Sequence, residues 1–232
     1  MGRRRVSRVA LGVGAPLALA VVLAQAFLPP IAARRVSDRV ARYGTVKSAS
    51  VSAWPALELL WGKADSTSVR AGTLTVTPAQ IASLLWEARS VSDMTISADA
   101  AVLHVAGLPS GLRVSGVRME KHGSQILANA TMTQPQLDEA LPSGFHVEPT
   151  ASGGGEVQAR ASGGLFGVQT SITVLVRPYE GRLVAEPRGF PLAGLATVTL
   201  FADSHLKVES VGVVVESRQP LTYRLSLRAS LR

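Results

Sequence analysis

The sequence lacks several residue types on which protein chemistry often depends. It contains no cysteine, which excludes disulfide bonds, thiol nucleophiles and cysteine-ligated metal sites. Aromatic residues make up only 5% of the chain and charged residues only 17%, whereas hydrophobic residues make up 47%. A chain of 232 residues with this apolar content is expected to bury a sizeable core, as one domain or two small ones.

Reactive motifs are also missing from the sequence. The chain has four histidines, His104, His122, His146 and His205. They are far apart and show no zinc-binding spacing, and neither a GxSxG elbow nor a P-loop occurs. Asp138 and Glu139 are adjacent, so on a helix they point about 100° apart and do not form an acid–base pair. We therefore predict no catalytic residue, no metal and no cofactor, and a protein that is not an enzyme.

The positive charge is concentrated at the N-terminus. Of the formal net charge of +8, four charges come from Arg3, Arg4, Arg5 and Arg8, which leaves about +4 for the rest of the chain. No basic cluster interleaved with aromatic residues follows, so we predict no nucleic-acid binding. The mild remaining bias is compatible with anionic lipid headgroups or phosphates.

A long apolar segment follows these arginines, and no charged residue occurs between Arg8 and Arg34. Basic residues before an apolar segment favour a cytoplasmic N-terminus with the downstream chain outside the membrane. Residues 1–33 are therefore predicted to be a signal peptide or a transmembrane anchor, and 34–232 an extracytoplasmic domain. The domain would either stay anchored at the outer face of the plasma membrane or be secreted to the cell envelope.

The length of the apolar segment is compatible with a signal peptide and with a transmembrane helix. Residues 11–24 have the length of a signal-peptide apolar region, and Ala24-Gln25-Ala26 offers a cleavage site. Residues 9–28 are long enough as a helix to cross a hydrocarbon core of ~30 Å. A buried helix of a cytosolic protein is the third alternative. The sequence alone leaves the choice open.

Strand patterns dominate from Val69 onward. Ten segments show alternation of apolar and polar residues or enrichment in β-branched residues, and glycine, proline, serine or aspartate separates them at hairpin spacing. Short intervals between strands favour antiparallel pairing. We predict an α+β fold in which one large, twisted antiparallel sheet curls around one or two helices. The stretch before these strands, "RRVSDRVARYGT", is expected to be a polar helix or a linker.

Two apolar helices are predicted in this domain. The segment "WPALELLWGK", from Trp54 to Lys63, is apolar nearly all round. The segment from Pro78 to Val91 is the stronger helix, with Thr77 as its N-cap. Both helices present apolar atoms over much of their circumference, so each is expected to lie in a core or against a lipid.

A short internal sequence similarity includes the start of the second helix. Residues 75–85, "TVTPAQIASLL", align without gaps with residues 131–141, "TMTQPQLDEAL". The alignment matches Thr77 with Thr133 and Gln80 with Gln136. Each copy is predicted to contain a strand end, a cap and a helix, and an internal duplication is one explanation besides chance.

Residues 141–192 resemble the LmeA-like phospholipid-binding family of actinobacterial cell-envelope proteins. The likeness lies in the Leu-Pro-x-Gly turn at 141–144, the Phe-Gly-Val at 166–168 and the hairpin "VRPYEGRLVAEP" at 176–187. The segment from Trp54 to Val69 is similar as well, and the resemblance extends over 44–232. It implies a tubular lipid-binding-like α+β fold and phospholipid binding, with no functional residue that can be transferred individually.

The apolar residues of the helices are the candidate lipid-lining set: Trp54, Leu57, Leu60, Trp61, Ile81, Leu84, Leu85, Trp86, Leu137, Leu141 and Phe145. Core packing is the alternative for each of them. The expected function is non-enzymatic binding of a phospholipid or similar amphiphile in an apolar groove, with the membrane as a partner. The alternative function is a membrane-anchored structural domain that docks an unknown protein partner.

Overall fold

The computed structural model of the chain describes residues 28–53, 64–105, 108–165, 168–189 and 197–232. The described residues contain three α-helices: α1 at 28–40, α2 at Pro78–Glu87 and α3 at Gln134–Ala140. A short 3-10 helix, Ala88–Ser90, follows α2 directly. The predicted helix from Trp54 to Lys63 lies outside the described residues.

Twelve strands complete the described part of the chain. They are β1 Gly44–Ser52, β2 Ala64–Val76, β3 Val91–Leu103, β4 Leu112–His122, β5 Gln125–Thr133, β6 Phe145–Gly153, β7 Glu156–Leu165, β8 Val168–Tyr179, β9 Arg182–Arg188, β10 Val198–Phe201, β11 Leu206–Arg218 and β12 Leu221–Leu231. Seven of them form a first sheet in the order β1-β2-β3-β4-β5-β12-β11, and five form a second sheet in the order β10-β9-β8-β7-β6.

The predicted α+β class with a large antiparallel sheet is confirmed, and all ten predicted strand segments lie in or overlap strands. The strands form two sheets rather than one. The prediction missed β10 and also β1, where a linker or polar helix had been expected to reach Thr45. β1 is an edge strand in which only Val51 is buried, so its sequence carries a weak alternation signal.

One strand pair departs from the predicted antiparallel arrangement. β2 and β3 are parallel, with Ala64 opposite Val91 and Val76 opposite Leu103. The chain crosses from the end of β2 to the start of β3 through α2 and the 3-10 helix. Parallel neighbours require such a crossover, and residues 77–90 are long enough to provide it, so the expectation of antiparallel pairing throughout is wrong for this pair.

Both α2 and α3 pack on the same face of the first sheet. The first apolar cluster joins Leu85 of α2 to Ile126 of β5, and the second joins Leu137 of α3 to Met132 of β5. β5 pairs with β12 without a register shift, so its even-numbered residues share one face. The sheet therefore carries two separate apolar clusters on a single side.

A change of pleat separates the two clusters. In β3 the buried residues Met94 and Ala98 have even numbers, whereas the buried Ala101 has an odd number. At the same level of the sheet, Gly116 in β4 has a φ of +57°, and the β4–β5 register shifts there. A bulge of this kind increases the local twist, which turns one end of the sheet relative to the other.

The second sheet attaches to the first through the edge strand β11. The backbone N–H of Val208 donates to the carbonyl of Gly181, and that of Val211 donates to the carbonyl of Gly155, both at 2.9 Å. Gly181 and Gly155 lie in the β8–β9 and β6–β7 turns. The hairpin tips of the second sheet therefore satisfy donors that an open sheet edge would expose.

The two hairpin turns themselves follow from their residues. Gly154 and Gly155 have φ values of 62° and 84°, and Glu180 and Gly181 have φ values of 52° and 80°. Positive φ at both central residues is what a two-residue turn between twisted antiparallel strands requires. Both turns lie where glycine separates two of the predicted strands, as the spacing of the strand patterns predicts.

The sequence similarity between residues 75–85 and 131–141 has a local physical basis. Thr77 and Thr133 are the N-caps of α2 and α3, and each forms a capping box with the glutamine three residues later, Gln80 and Gln136. The N-cap prediction for Thr77 is thus confirmed. After the helices the two copies diverge, because α2 leads to a neighbouring strand of the same sheet and α3 leads into the second sheet. A duplication remains a hypothesis.

The predicted signal peptide or anchor at 1–33 lies mostly outside the described residues. The described helix α1 spans 28–40 and so continues across the predicted boundary after residue 33. Among the helices that the structure describes, none is long and apolar enough to cross a membrane.

Candidate functional site

A groove lies between helix α1 and the edge strand β1. Its volume is about 480 Å³, which falls within the roughly 300–1,000 Å³ of small-molecule sites. The described residues that line it are Pro29, Pro30, Ala33, Arg34, Ser37, Ala49, Ser50 and Val51. The groove is shallow and widely open to solvent, so a ligand could enter it without a large rearrangement of the described residues.

The composition of α1 explains why a groove forms at this position. The side of α1 toward β1 carries Ala33 and Ser37, which lie on successive turns of one helix face. The facing strand contributes Ala49 and Val51. Small side chains on both elements leave space that larger residues would fill.

The groove is apolar along most of its lining and polar at a few points. Two prolines, two alanines and a valine supply apolar surface, and Ser37 and Ser50 supply hydroxyl groups. Arg34 adds one cation; it is exposed and lies where the groove meets solvent. An apolar trough with a guanidinium at its border can bind an amphiphile that has an anionic headgroup.

Two of the predicted lining residues of α2, Ile81 and Leu85, lie elsewhere, in the first apolar cluster. Leu85 is only 2% exposed, and Ile81 packs against the same cluster. Leu84 is half-buried. Ile81 and Leu85 pack α2 against the sheet, and none of the three residues borders the groove between α1 and β1. Lipid contact by this set stays a prediction.

Trp86 occupies a distinct position near the end of α2. Its ring lies 4.4 Å from the ring of His205, measured between centroids, and the guanidinium of Arg89 lies 4.7 Å from its centroid. The indole is half-buried between these two groups. Its surroundings are therefore aromatic and cationic rather than purely apolar.

The remaining predicted lining residues do not converge on one site. Leu137 packs against the second apolar cluster, and Leu141 is half-buried where α3 ends. Phe145 is 42% exposed and covers Gly163 of the neighbouring strand. The other four predicted residues lie outside the described part of the chain: Trp54, Leu57, Leu60 and Trp61.

A polar cluster joins α3 to both sheets. The buried hydroxyl of Tyr223 in β12 donates to Gln134 Oε1 at 2.6 Å, and Gln134 Nε2 donates to the carbonyl of Val147 in β6 at 2.9 Å. Burial raises the pKa of the Tyr223 hydroxyl, and the charges of Glu148 and Asp138 add to the effect. The hydroxyl is therefore a neutral donor at physiological pH.

Three histidines that seemed isolated in the sequence have aspartate neighbours. His122 Nδ1 lies 2.6 Å from Asp93, and His146 Nδ1 lies 2.8 Å from Asp138. Asp138 also accepts from Gln134, so it belongs to the polar cluster; it lies in the second turn of α3 rather than in the first. All four side chains of these two pairs are at least a third exposed.

The third pair includes a serine but lacks the geometry of a catalytic triad. Both Asp203 Oδ1 and Ser204 Oγ lie 3.3 Å from the same nitrogen, Nδ1 of His205. A general base must accept the serine proton on one ring nitrogen while the carboxylate orients the other. This arrangement cannot do both. Among the described residues no group of three or more potential ligands could hold a metal ion.

Sequence reasoning missed two features of the described structure. One is the groove itself, because α1 and β1 meet only in the fold; the run of small residues in α1 was the available signal. The other is Lys121, whose side chain is fully buried in the sheet. Alternation in β4 would have placed it on the inner face, but lysine is seldom expected there.

Comparison of the chain with protein-family models, with curated proteins and with solved structures found no match. The resemblance to the LmeA-like family therefore stays a prediction from the sequence.

Proposed function

We propose that this protein binds a phospholipid or a similar amphiphile at the outer side of the plasma membrane and performs no chemistry on it. The observation that carries the proposal is the open groove between α1 and β1, which is apolar along its lining and bordered by Arg34. The resemblance of residues 44–232 to a phospholipid-binding family supports the same ligand class.

The groove suits one acyl chain and one anionic headgroup. Its volume of about 480 Å³ leaves room for a hydrocarbon chain, and its prolines, alanines and valine offer no hydrogen-bonding side chain to such a chain. A guanidinium can bind two phosphate oxygens at once, so Arg34 would hold the headgroup while Ser37 adds a hydroxyl donor. The hydrophobic effect would supply most of the binding free energy.

The proposal extends to the architecture. We propose a tubular lipid-binding-like domain in which the sheets curl around the helices. Two observations support it: α2 and α3 pack on the same face of the first sheet, and a bulge twists that sheet between them. In such a domain Ile81, Leu85 and Leu137 would form the inner wall.

Lipid extraction tests the ligand class. The purified full chain is extracted with organic solvent, and the extract is analysed by mass spectrometry. We expect a phospholipid in near-stoichiometric amount. Recovery of no lipid, together with no binding of added phospholipid to the delipidated chain, would reject the proposal.

A matched pair of substitutions tests the location. Ala33→Phe fills the groove and should lower the recovered lipid at least tenfold. Ala41→Phe makes the same change on an exposed residue just beyond α1 and should leave lipid recovery unchanged. Both variants should keep a cooperative thermal transition, because neither alanine is buried. Equal lipid recovery from the two variants would place the ligand elsewhere.

The docking of a protein partner is the second candidate function. Val214 and Val215 are neighbours on the edge strand β11, with 64% and 48% of their surface exposed. Exposed apolar residues on a sheet edge are typical of interaction surfaces. In this case the purified chain would carry no lipid, and Val214→Glu would abolish binding of a purified partner without changing the thermal transition.

A further inference from the structure

Helix α1 and the turn that follows it carry a concentration of exposed arginine, with Arg42 in the turn. Four arginines occur within nine residues, and all are exposed: Arg34, Arg35, Arg39 and Arg42. Asp38 is the single acidic residue in the same stretch. The sequence gives this stretch a local net charge of +3, four arginines minus one aspartate, which is a large share of the charge beyond the N-terminal arginines.

Helical geometry places these charges on one side. At about 100° per residue, Arg34, Arg35 and Arg39 fall within an arc of roughly 140°. Ile31 and Asp38 fall inside the same arc; Ile31 is 48% exposed, and Asp38 offsets one of the three arginine charges there. The opposite side of α1 carries Ala33 and Ser37, which line the groove. The helix thus presents a basic face outward and a small-residue face toward β1.

The ion pairs of α1 leave most of this charge available. Arg39 lies 2.6 Å from Glu87 of α2, an exposed pair that fixes α1 relative to α2. Such a pair contributes little stability, about 0–1 kcal/mol, so its main consequence is orientation. Arg34, Arg35 and Arg42 remain as the cations that face solvent.

We propose that this arginine face of α1 docks on the surface of an anionic membrane. Three observations support a lipid surface as the partner. The charge is net positive on a convex helical face, an exposed isoleucine lies among the arginines, and the uncharged apolar run of the sequence continues into the first turns of α1, up to Arg34. Basic residues beside an apolar segment are attracted to anionic headgroups.

Docking in this orientation has a consequence for the groove. Arg34 belongs to both faces of α1, because it lines the groove and also lies at the edge of the basic face. With the basic face on the membrane, Arg34 at the border of the groove would lie near the headgroups, while Ala33 and Ser37 would face away from the membrane. An acidic protein surface could attract the same arginines, but it would not favour the exposed Ile31.

The absence of cysteine permits a direct test. Ile31→Cys and, as a control, Val214→Cys on β11 are made in the full chain, and each is labelled with an environment-sensitive fluorophore. The labelled proteins are reconstituted with vesicles of phosphatidylcholine alone or with added phosphatidylglycerol. We expect a blue shift at position 31 only with phosphatidylglycerol, reversed by high salt, and no shift at position 214.

A charge-matched pair of double variants completes the experiment. Arg35→Gln with Arg42→Gln should abolish the shift at position 31, or raise several-fold the phosphatidylglycerol fraction it requires. Arg182→Gln with Arg228→Gln removes two exposed arginines from strands β9 and β12 and should leave the shift unchanged. A shift that is equal on both vesicle types, or equal in the two double variants, would overturn the proposal. So would a shift produced by a soluble acidic protein and not by vesicles.

This inference does not depend on a lipid in the groove. Arg35 and Arg42 do not line the groove, so their loss tests membrane docking while lipid recovery tests the groove. If docking fails and lipid is still recovered, only the present inference is rejected.

Discussion

Among single residues, Lys121 stands out because a lysine is seldom fully buried. Its side chain has no exposed surface, and its partners across the sheet are Met94 and Ile126. The ammonium group donates a hydrogen bond to the carbonyl of Val91. Burial lowers the pKa of Lys121, and the charge of Asp93 opposes this effect only in part. The residue therefore opposes folding through the desolvation of its charge.

Replacement of this lysine by methionine should stabilise the protein. Lys121→Met keeps a similar volume and removes the buried charge, so we expect the free energy of unfolding at pH 7 to rise by about 1–3 kcal/mol. Lys207→Met, which changes an exposed lysine, should alter it by less than about 0.5 kcal/mol. Urea denaturation measures both. A loss of stability in Lys121→Met would show that the ammonium group holds the strands together.

The same lysine predicts a pH dependence. Because the pKa is lower in the folded state than in the unfolded chain, the unfolded chain binds more protons between the folded-state pKa and 10.5. The stability of the natural protein should therefore rise relative to Lys121→Met as the pH increases through this window. Comparison with the variant cancels the titration of Tyr223, whose raised pKa acts in the opposite direction. A constant difference from pH 7 to pH 11 would contradict this account.

At the scale of elements, the two capping boxes should contribute similarly to the free energy of unfolding. Thr77 Oγ1 accepts from the N–H of Gln80, and Thr133 Oγ1 accepts from the N–H of Gln136. Thr77→Ala and Thr133→Ala should each lower the free energy of unfolding by about 0.5–2 kcal/mol, measured by urea denaturation. The serine variants keep the oxygen and should retain most of the stability. If alanine and serine behave alike at either site, the cap does not stabilise that helix.

These local features were predictable from the sequence, whereas the pairing of elements was not. The Thr77 cap and the turns at Gly155 and Gly181 depend on residues close in sequence, so short patterns reveal them. The parallel β2–β3 pair depends on a crossover, and the division into two sheets depends on the edge of β11. Long-range contacts of this kind leave no signal in hydrophobic periodicity.

Prediction from the sequence was least successful for the candidate site. Ile81 and Leu85 were nominated because their helix is apolar, and the structure shows them packed on the sheet. The groove instead involves Ala33, Ala49 and Val51, which belong to no recognisable motif in the sequence. Small side chains leave space between elements that pack together. A sequence does not show which elements will pack against each other.

For the whole molecule, Gln134 is the residue of α3 whose side chain forms hydrogen bonds to both sheets. Gln134→Ala leaves the buried Tyr223 hydroxyl without its acceptor and removes the bond to Val147. We expect a loss of about 1–3 kcal/mol and faster amide hydrogen exchange in β6. Glu139→Ala, which changes an exposed residue on the same helix, is the control and should not change exchange in β6. Unchanged exchange in Gln134→Ala would show that the sheets are held together by other contacts.

The central claim is that a lipid occupies the groove between α1 and β1. Photo-crosslinking tests it most directly, with a phospholipid that carries a photoactivatable acyl chain bound to the full chain and the adducts mapped by peptide mass spectrometry. We predict adducts on residues 29–37 and 49–51, which line the groove. Adducts confined to α2 around Ile81–Trp86, or none above the level of the unirradiated sample, would contradict the account.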